Sequence, residues 1–144
     1  GRMMDAMVKP RLVLAAVPPN MVGGMWPSVS GMIAAAYAAV DNVPPADLPV
    51  KLAEKFAVLW IAVDAADMIR AVLVTELRQT HRGLACYMAA ASGESVEDWA
   101  HFKTTVENYA RAEGCARVVL EGRRGWQKFF PDYHLTVVTL EKEL

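Results

Sequence analysis

Residues 95–121 read SVEDWAHFKTTVENYARAEGCARVVLE, and two periodicities meet within them. Trp99, Phe102, Val106, Tyr109 and Ala110 recur at three-and-four spacing, which sets them on one face of a helix. Ser95 stands where an N-cap belongs, with Asp98 three residues on in the capping-box position. Gly114 follows the last of the periodic residues and can take the left-handed conformation that ends a helix. Cys115 is then placed for the apolar contact that accompanies such an end. From Arg117 to Glu121 the run RVVLE is a short β-type segment. A helix that feeds straight into a strand is the second half of a β-α-β unit, so a strand is expected just before it.

Working backward, residues 83–89 (GLACYMA) supply that strand, after a polar link at 78–82. Before the link, residues 57–63 (AVLWIAV) and 69–76 (IRAVLVTE) form an antiparallel hairpin joined by Asp64-Ala65-Ala66-Asp67. Further back, an alanine-rich helix is expected from Pro27 or Ser28 to Val40, with Pro27 in its first turn. Asp41-Asn42-Val43-Pro44-Pro45 breaks it. A second short helix over 47–55 can be capped by Asp47, and Pro49 falls in its first turn. The run RLVLAAV at 11–17, stopped by Pro18-Pro19-Asn20, is an opening strand. Working forward, a short helix over 125–130 ends at Pro131-Asp132, and LTVVTL at 135–140 is a last strand before Glu141-Lys142-Glu143. The order is therefore β-α-α-β-β-β-α-β-α-β. It predicts an α/β (α+β) fold with a mixed, mostly antiparallel sheet and helices on both faces. Residues 1–10 are expected to be disordered or tag-derived, and 11–144 to be one domain.

Composition narrows the function classes. The chain has 144 residues, 54% of them hydrophobic and 22% charged, with a formal net charge of -1. That is the balance of one globular domain, with no electrostatic footprint for nucleic acid and no segment for a membrane. Cys86 and Cys115 lack metal-type spacing, and His81, His101 and His134 are scattered, so two reduced thiols and no metal are expected. Nothing in the first residues reads as an export signal, which points to the cytoplasm.

The element order is that of the GNAT (N-acetyltransferase) superfamily. In addition, AEGCARVVLEGRRGW at 112–126, closed by Pro131-Asp132-Tyr133, resembles small GNAT-like proteins of tailed bacteriophages and prophages. Trp60, Thr75-Glu76 and Trp99 are similar to that group as well. The resemblance implies a GNAT fold, acetyl-CoA or another acyl-CoA as cofactor, and transfer of the acyl group to an amine of a small molecule or protein. It also implies a phage or prophage origin, with the host cytoplasm or the virion as location.

The same resemblance implies where the site lies. The pyrophosphate would sit on the loop after the fourth strand, against Met88, Ala89, Ala90, Gly93, Glu94 and Ser95, with Arg123 near. Small residues there permit close approach. Glu94, Glu97 and Asp98 crowd the same helix terminus, and two unit charges roughly 6 Å apart repel by about 3 kcal/mol at an effective dielectric near 20. Glu76, ending an apolar strand, is the candidate base, and Tyr133 the candidate acid, with Phe129 and Phe130 standing where the family's Tyr is expected. Glu121 is a second carboxylate whose simpler role is to pair with Arg123 or Arg124. Arg124 and Trp126, a guanidinium beside an indole, are candidate substrate contacts together with Trp26. Trp126 also has a plain packing role for the short helix.

Two function classes follow. One is the acyl-CoA-dependent N-acyltransferase. The other is a non-catalytic interaction module on the same fold, binding a phage or host protein through Met21, Met25 and Trp26; a homodimer is a separate expectation. They differ in one structural requirement: the enzyme needs the fourth and fifth strands to part beside Ala89 and Val119. Continuous pairing there, or Trp126 filling the slot, removes it.

Overall fold

The computed structural model describes residues 12–55, 57–93, 98–122 and 124–144, with only the backbone of Arg124. The expected N-terminal boundary, Glu94, Ser95 and Arg123 lie outside the described residues. Five strands form one sheet in the order β1 (Val13–Ala16), β2 (Ala57–Val63), β3 (Ile69–Thr80), β4 (Gly83–Gly93), β5 (Arg117–Leu120). Neighbours are antiparallel except β4 and β5, which run parallel.

The β2–β3 hairpin closes at Asp64, whose carboxylate accepts the N–H groups of Ala66 and Met68 at 2.9 Å each. The Met68 amide, ahead of the Arg70 guanidinium, holds this carboxyl below its usual range. Asp67 turns the corner at φ 61°. β3 runs further than expected, through most of the polar link. Its polar side chains find cross-strand partners instead of ending the strand. Arg78 stacks on the Tyr87 ring at 4.0 Å, the Thr80 hydroxyl donates to the Gly83 carbonyl at 2.6 Å, and Arg117 donates to Thr80 at 3.2 Å. The turn shrinks to His81-Arg82, with Gly83 at φ 102°.

Alternation along β3 divides the core into two layers. Ala71 and Leu73 join Trp60, Cys86, Met88 and Phe102 on one face, and Val72 and Val74 join Leu59, Ile33 and Leu48 on the other. The second face is covered by α1 (Val22–Ala38) and α2 (Leu48–Ala53). α1 begins earlier than expected, so Pro27 lies inside it rather than in its first turn. A 3₁₀ turn at Pro19–Met21 starts the helix, and burial of Val22, Val29, Ile33, Ala36 and Tyr37 outweighs the bond that Pro27 cannot donate. Asp47 occupies the N-cap of α2 but makes no side-chain cap bond.

The first face is covered by α3 (Trp99–Ala112), which buries Trp99, Phe102, Val106 and Ala110. Its end is the expected one. Gly114 sits at φ 82°, Cys115 N–H bonds the Ala110 carbonyl at 2.9 Å, and Gly114 N–H bonds that of Arg111 at 3.1 Å, the paired bonds of a Schellman motif. After β5 a 3₁₀ helix, Arg124–Phe129, stands where a short helix was expected.

The expected last strand is not in the sheet. Leu135, Val137, Val138 and Leu140 are 62%, 79%, 68% and 90% exposed. The chain entering this segment is tied to α3, by Tyr133 donating to Glu107 at 2.8 Å and Lys103 pairing with Asp132 at 2.8 Å. It therefore passes β5 without pairing, and a groove of about 1100 Å³ is lined by both.

Candidate functional site

The sheet changes character in the middle of β4. Its register against β3 shifts there: Val74 faces Ala90 and Thr75 faces Met88, so Ala89 is the extra residue of a bulge. On the opposite edge, β5 pairs with Ala85 to Met88 and then stops at Leu120. The next bond, from Glu121 N–H to the Met88 carbonyl, is stretched to 3.5 Å. Beyond the bulge, β4 pairs with β3 alone. The strands thus part at Ala89 on one side and one residue past Val119 on the other, close to the place the enzyme reading requires.

A cleft of about 140 Å³ opens there, lined by Ala39, Val40, Ala91, Leu120, Glu121 and Trp126. Trp126 is one wall of it. Its ring stands edge-on to Trp99 at 5.1 Å and 88° and lies over Gly122, where an added Cβ would come within 3.1 Å of its Cδ1. The packing role of Trp126 is therefore real, and it narrows the cleft without filling it.

Charged groups collect on the α1 face nearby. Arg78 binds Glu76 at 3.3 Å and Glu121 at 3.4 Å, bridging the two carboxylates. The Glu76 side chain is 18% exposed, whereas Glu121 is 54% exposed and lines the cleft. Beside them the Tyr37 hydroxyl is buried with no hydrogen-bond partner among the described residues. Burial, then the charge of Glu76, pushes its pKa up to about 12 against a smaller opposing effect of Arg78. Glu121 thus takes Arg78 as a partner, from a stretch expected to be a link. The available signal was its two-residue spacing from Glu76, which puts both on one face of a strand.

The expected acid–base pair is split. Tyr133 packs with the α3-side cluster, and burial followed by its bond to Glu107 raises its hydroxyl pKa far above the usual range. Glu76 acts on the other face, against Tyr37. Phe130, 1% exposed, fills the α3-side core.

The remaining expected contacts separate as follows. Met88 points into the α3-side core and Ala90 into the α1-side core. Gly93 is demanded by packing, since a Cβ there would run into Ala71, its partner on β3. Trp26 and Met25 pack inward against the α1-side cluster, leaving Met21 exposed, and Trp26 is some 20 Å along α1 from the cleft at 1.5 Å per residue. Both cysteines are free, and burial pushes the Cys86 thiol up to about 12. Among the described residues no cluster of His, Cys, Asp and Glu could hold a metal ion, and no helix is long and apolar enough to cross a membrane.

No protein-family model matches the chain, and no curated protein matches it in sequence. Solved structures do match. An aminoglycoside acetyltransferase from an uncultured soil metagenomic sample, in complex with sisomicin, aligns at TM-score 0.66 and 12% identity, over 92% of this chain and 96% of that one. A predicted acetyltransferase with acetyl-CoA from Clostridium acetobutylicum aligns at 0.59 and 14%, over 92% and 95%. A GNAT family acetyltransferase from Staphylococcus aureus aligns at 0.57 and 10%, over 93% and 99%. At these identities the likeness establishes the fold, and the fold is that of the GNAT acetyltransferases.

Proposed function

We propose that the chain is an acyl-CoA-dependent N-acyltransferase whose cofactor arm lies along the free edge of β4 beyond Met88. One observation carries this reading: the Ala89 bulge coincides with the end of β4–β5 pairing. An unpaired strand edge offers backbone N–H and C=O groups at strand spacing, which suits an amide-bearing chain. Ala89, Ala90, Ala91 and Ser92 keep that edge clear of bulk, so the residues present fit a slender arm. The bound group would supply an activated thioester.

The chain's own groups divide the remaining work. Backbone N–H groups freed around Ala89 polarise a carbonyl placed against them. Glu121, at the cleft, takes the proton from the acceptor amine as the C–N bond forms, and the C–S bond of the thioester would break to release the thiol. Glu76, expected as the base, holds Arg78 instead, and Arg78 positions Glu121. Arg123 remains a candidate for the anionic end of the cofactor, and Arg124 for the substrate. The acceptor is an amine of a small molecule or protein. The sequence likeness at 112–126 is the ground for a phage or prophage origin, and hence for a host-cytoplasm or virion location.

Thermal unfolding with acetyl-CoA is the test. Ligand at 100 times its Kd adds about 2.7 kcal/mol, several degrees for a domain of this size. Glu121→Gln should keep that shift and lose transfer to amines. Absence of any shift with acetyl-CoA or longer acyl-CoA ends the reading.

A second reading rests on Trp126. A cleft of about 140 Å³ is below the ~300–1,000 Å³ of small-molecule sites. On this reading the chain is a non-catalytic interaction module with the slot closed. It predicts no shift for the wild type, and a shift that appears in Trp126→Ala.

A further inference from the structure

Val118 and Leu120 pack against the α3-side cluster, so alternation turns Arg117, Val119 and Glu121 to the opposite face of β5. Register extends this face across the sheet. Arg117 stands beside Ala85 and Arg78, and Val119 beside Tyr87 and Glu76. With Arg82 from the β3–β4 turn, Tyr87, Arg117, Val119 and Glu121 line the groove of about 1100 Å³. Charge along it is segregated. At the Glu121 end two carboxylates share one cation, Arg78. At the other end the Arg117 guanidinium donates to the Thr80 hydroxyl at 3.2 Å. Neither Arg117 nor Arg82 has a carboxylate partner among the described residues. Glu121 also lines the small cleft beside Ala91, so it stands where the two spaces meet.

We infer that the groove receives the acceptor, and that the acceptor is a zwitterion, a primary amine joined to an oxyanion. This rests on the transferase reading above. With the cofactor arm in the small cleft, the amine reaches Glu121 from the groove. Its chain lies over Tyr87 and Val119, and its oxyanion meets Arg117 and Arg82, whose guanidinium forks fit a carboxylate or a phosphate. Glu121 and Arg117 are four residues apart, ~13 Å along a strand. A hydrogen bond of about 2.9 Å at each end leaves roughly 7 Å between amine and oxyanion. ε-Aminocaproate has about that reach. A diamine would set its second ammonium against the arginines, and like charges exclude it.

Titration calorimetry of the purified chain with ε-aminocaproate, its carboxamide and hexamethylenediamine tests the groove without any acyl-CoA. The carboxylate should bind at least about tenfold tighter than either of the others. An aminoalkyl phosphate of matching length runs beside it; preference for either oxyanion over the amide supports the subsite, and the tighter one names the acceptor. Arg117→Gln and Arg82→Gln should each weaken the oxyanion and bring it toward the amide. Arg82 is exposed in a turn, so its variant removes charge without disturbing a strand. Equal binding of carboxylate and amide overturns the inference, as does a preference that both variants keep. With acetyl-CoA present, kcat/KM should follow the same order. Transfer to amines without an oxyanion preference overturns the inference and spares the transferase reading, which stands or falls on the acyl-CoA shift.

Discussion

On the α3 side of the sheet, polar atoms that enter the core find partners. The Trp60 indole donates to Thr75 at 2.9 Å, and Tyr133 donates to Glu107 at 2.8 Å. Rings fill the rest, with Trp60 edge-on to Tyr109 and Trp99 edge-on to Phe102, both at 5.2 Å and 82°. On the α1 side, Tyr37 buries a hydroxyl without a hydrogen-bond partner among the described residues, and Arg78 bridges two carboxylates at the rim. Aromatic edge contacts and satisfied polar groups concentrate on the first side. The second keeps polar groups that packing does not require, and the cleft opens between the two sides, with Ala39 and Val40 from the α1 side and Ala91, Leu120 and Trp126 from the α3 side.

The largest test of this contrast is truncation in the two cores. Phe102→Ala should cost about 3–5 kcal/mol, since it loses a cavity-sized volume and its edge contact with Trp99. Ile33→Ala on the α1 side should cost less within the ~2–5 kcal/mol range for such changes. Denaturant unfolding ranks them, and a reversed order breaks the comparison. A smaller effect is expected at Gly93→Ala. The added methyl meets Ala71 between strands, so the variant should lose about 1–3 kcal/mol. Because the cause is packing, the loss should appear in ligand-free protein. A full-stability variant with weaker acyl-CoA binding would return Gly93 to a cofactor role.

Periodicity explains why much of the fold was legible. β2, the α3 face and the Gly114 end follow from apolar spacing and from one glycine's left-handed conformation. What was missed lacks a local signal. The bulge at Ala89 lies in a run of alanines with no alternation, at the point where β5 stops pairing with β4. Arg78 looked like part of a link because its partners, Glu76, Tyr87 and Glu121, are supplied by three strands. The segment 135–140 has the composition of a strand, but a strand also needs an edge to pair with, and that is decided by where Tyr133 and Asp132 are tied. For the site, the place where the strands part was expected almost to the residue. The acid–base pair was not, because sequence spacing does not say on which face of the sheet Tyr133 emerges.

The polar groups of the two faces can be compared directly by removing one hydroxyl from each. Tyr133→Phe deletes a bond to a carboxylate and leaves Glu107 without its donor, so a loss of about 1–2 kcal/mol is expected at neutral pH. Equal stability of Tyr133→Phe and wild type in urea would show that the bond to Glu107 contributes nothing, and the contrast would lose its clearest polar example.

Tyr37→Phe is the smallest change and should have the opposite sign. It removes a buried hydroxyl with no partner, so stability at pH 7 should stay level or rise by up to about 1 kcal/mol. The alkaline limb then sharpens the point. The Tyr37 pKa is 10.0 when unfolded and about 12 when folded, so the native state holds this proton more tightly. Its contribution is complete below pH 10 and is lost as pH rises through 12. Tyr109 and Cys86, both raised to about 12 by burial, add to the same limb. Wild-type melting temperatures should therefore begin to fall above pH 9, where Cys86 starts to contribute, and fall steeply above pH 10. Tyr37→Phe should lower the number of protons linked to unfolding there by about one. A variant that melts lower at pH 7, with an unchanged alkaline slope, would mean that the Tyr37 hydroxyl is hydrogen-bonded in solution, and the α1 face would then be as well satisfied as the α3 face.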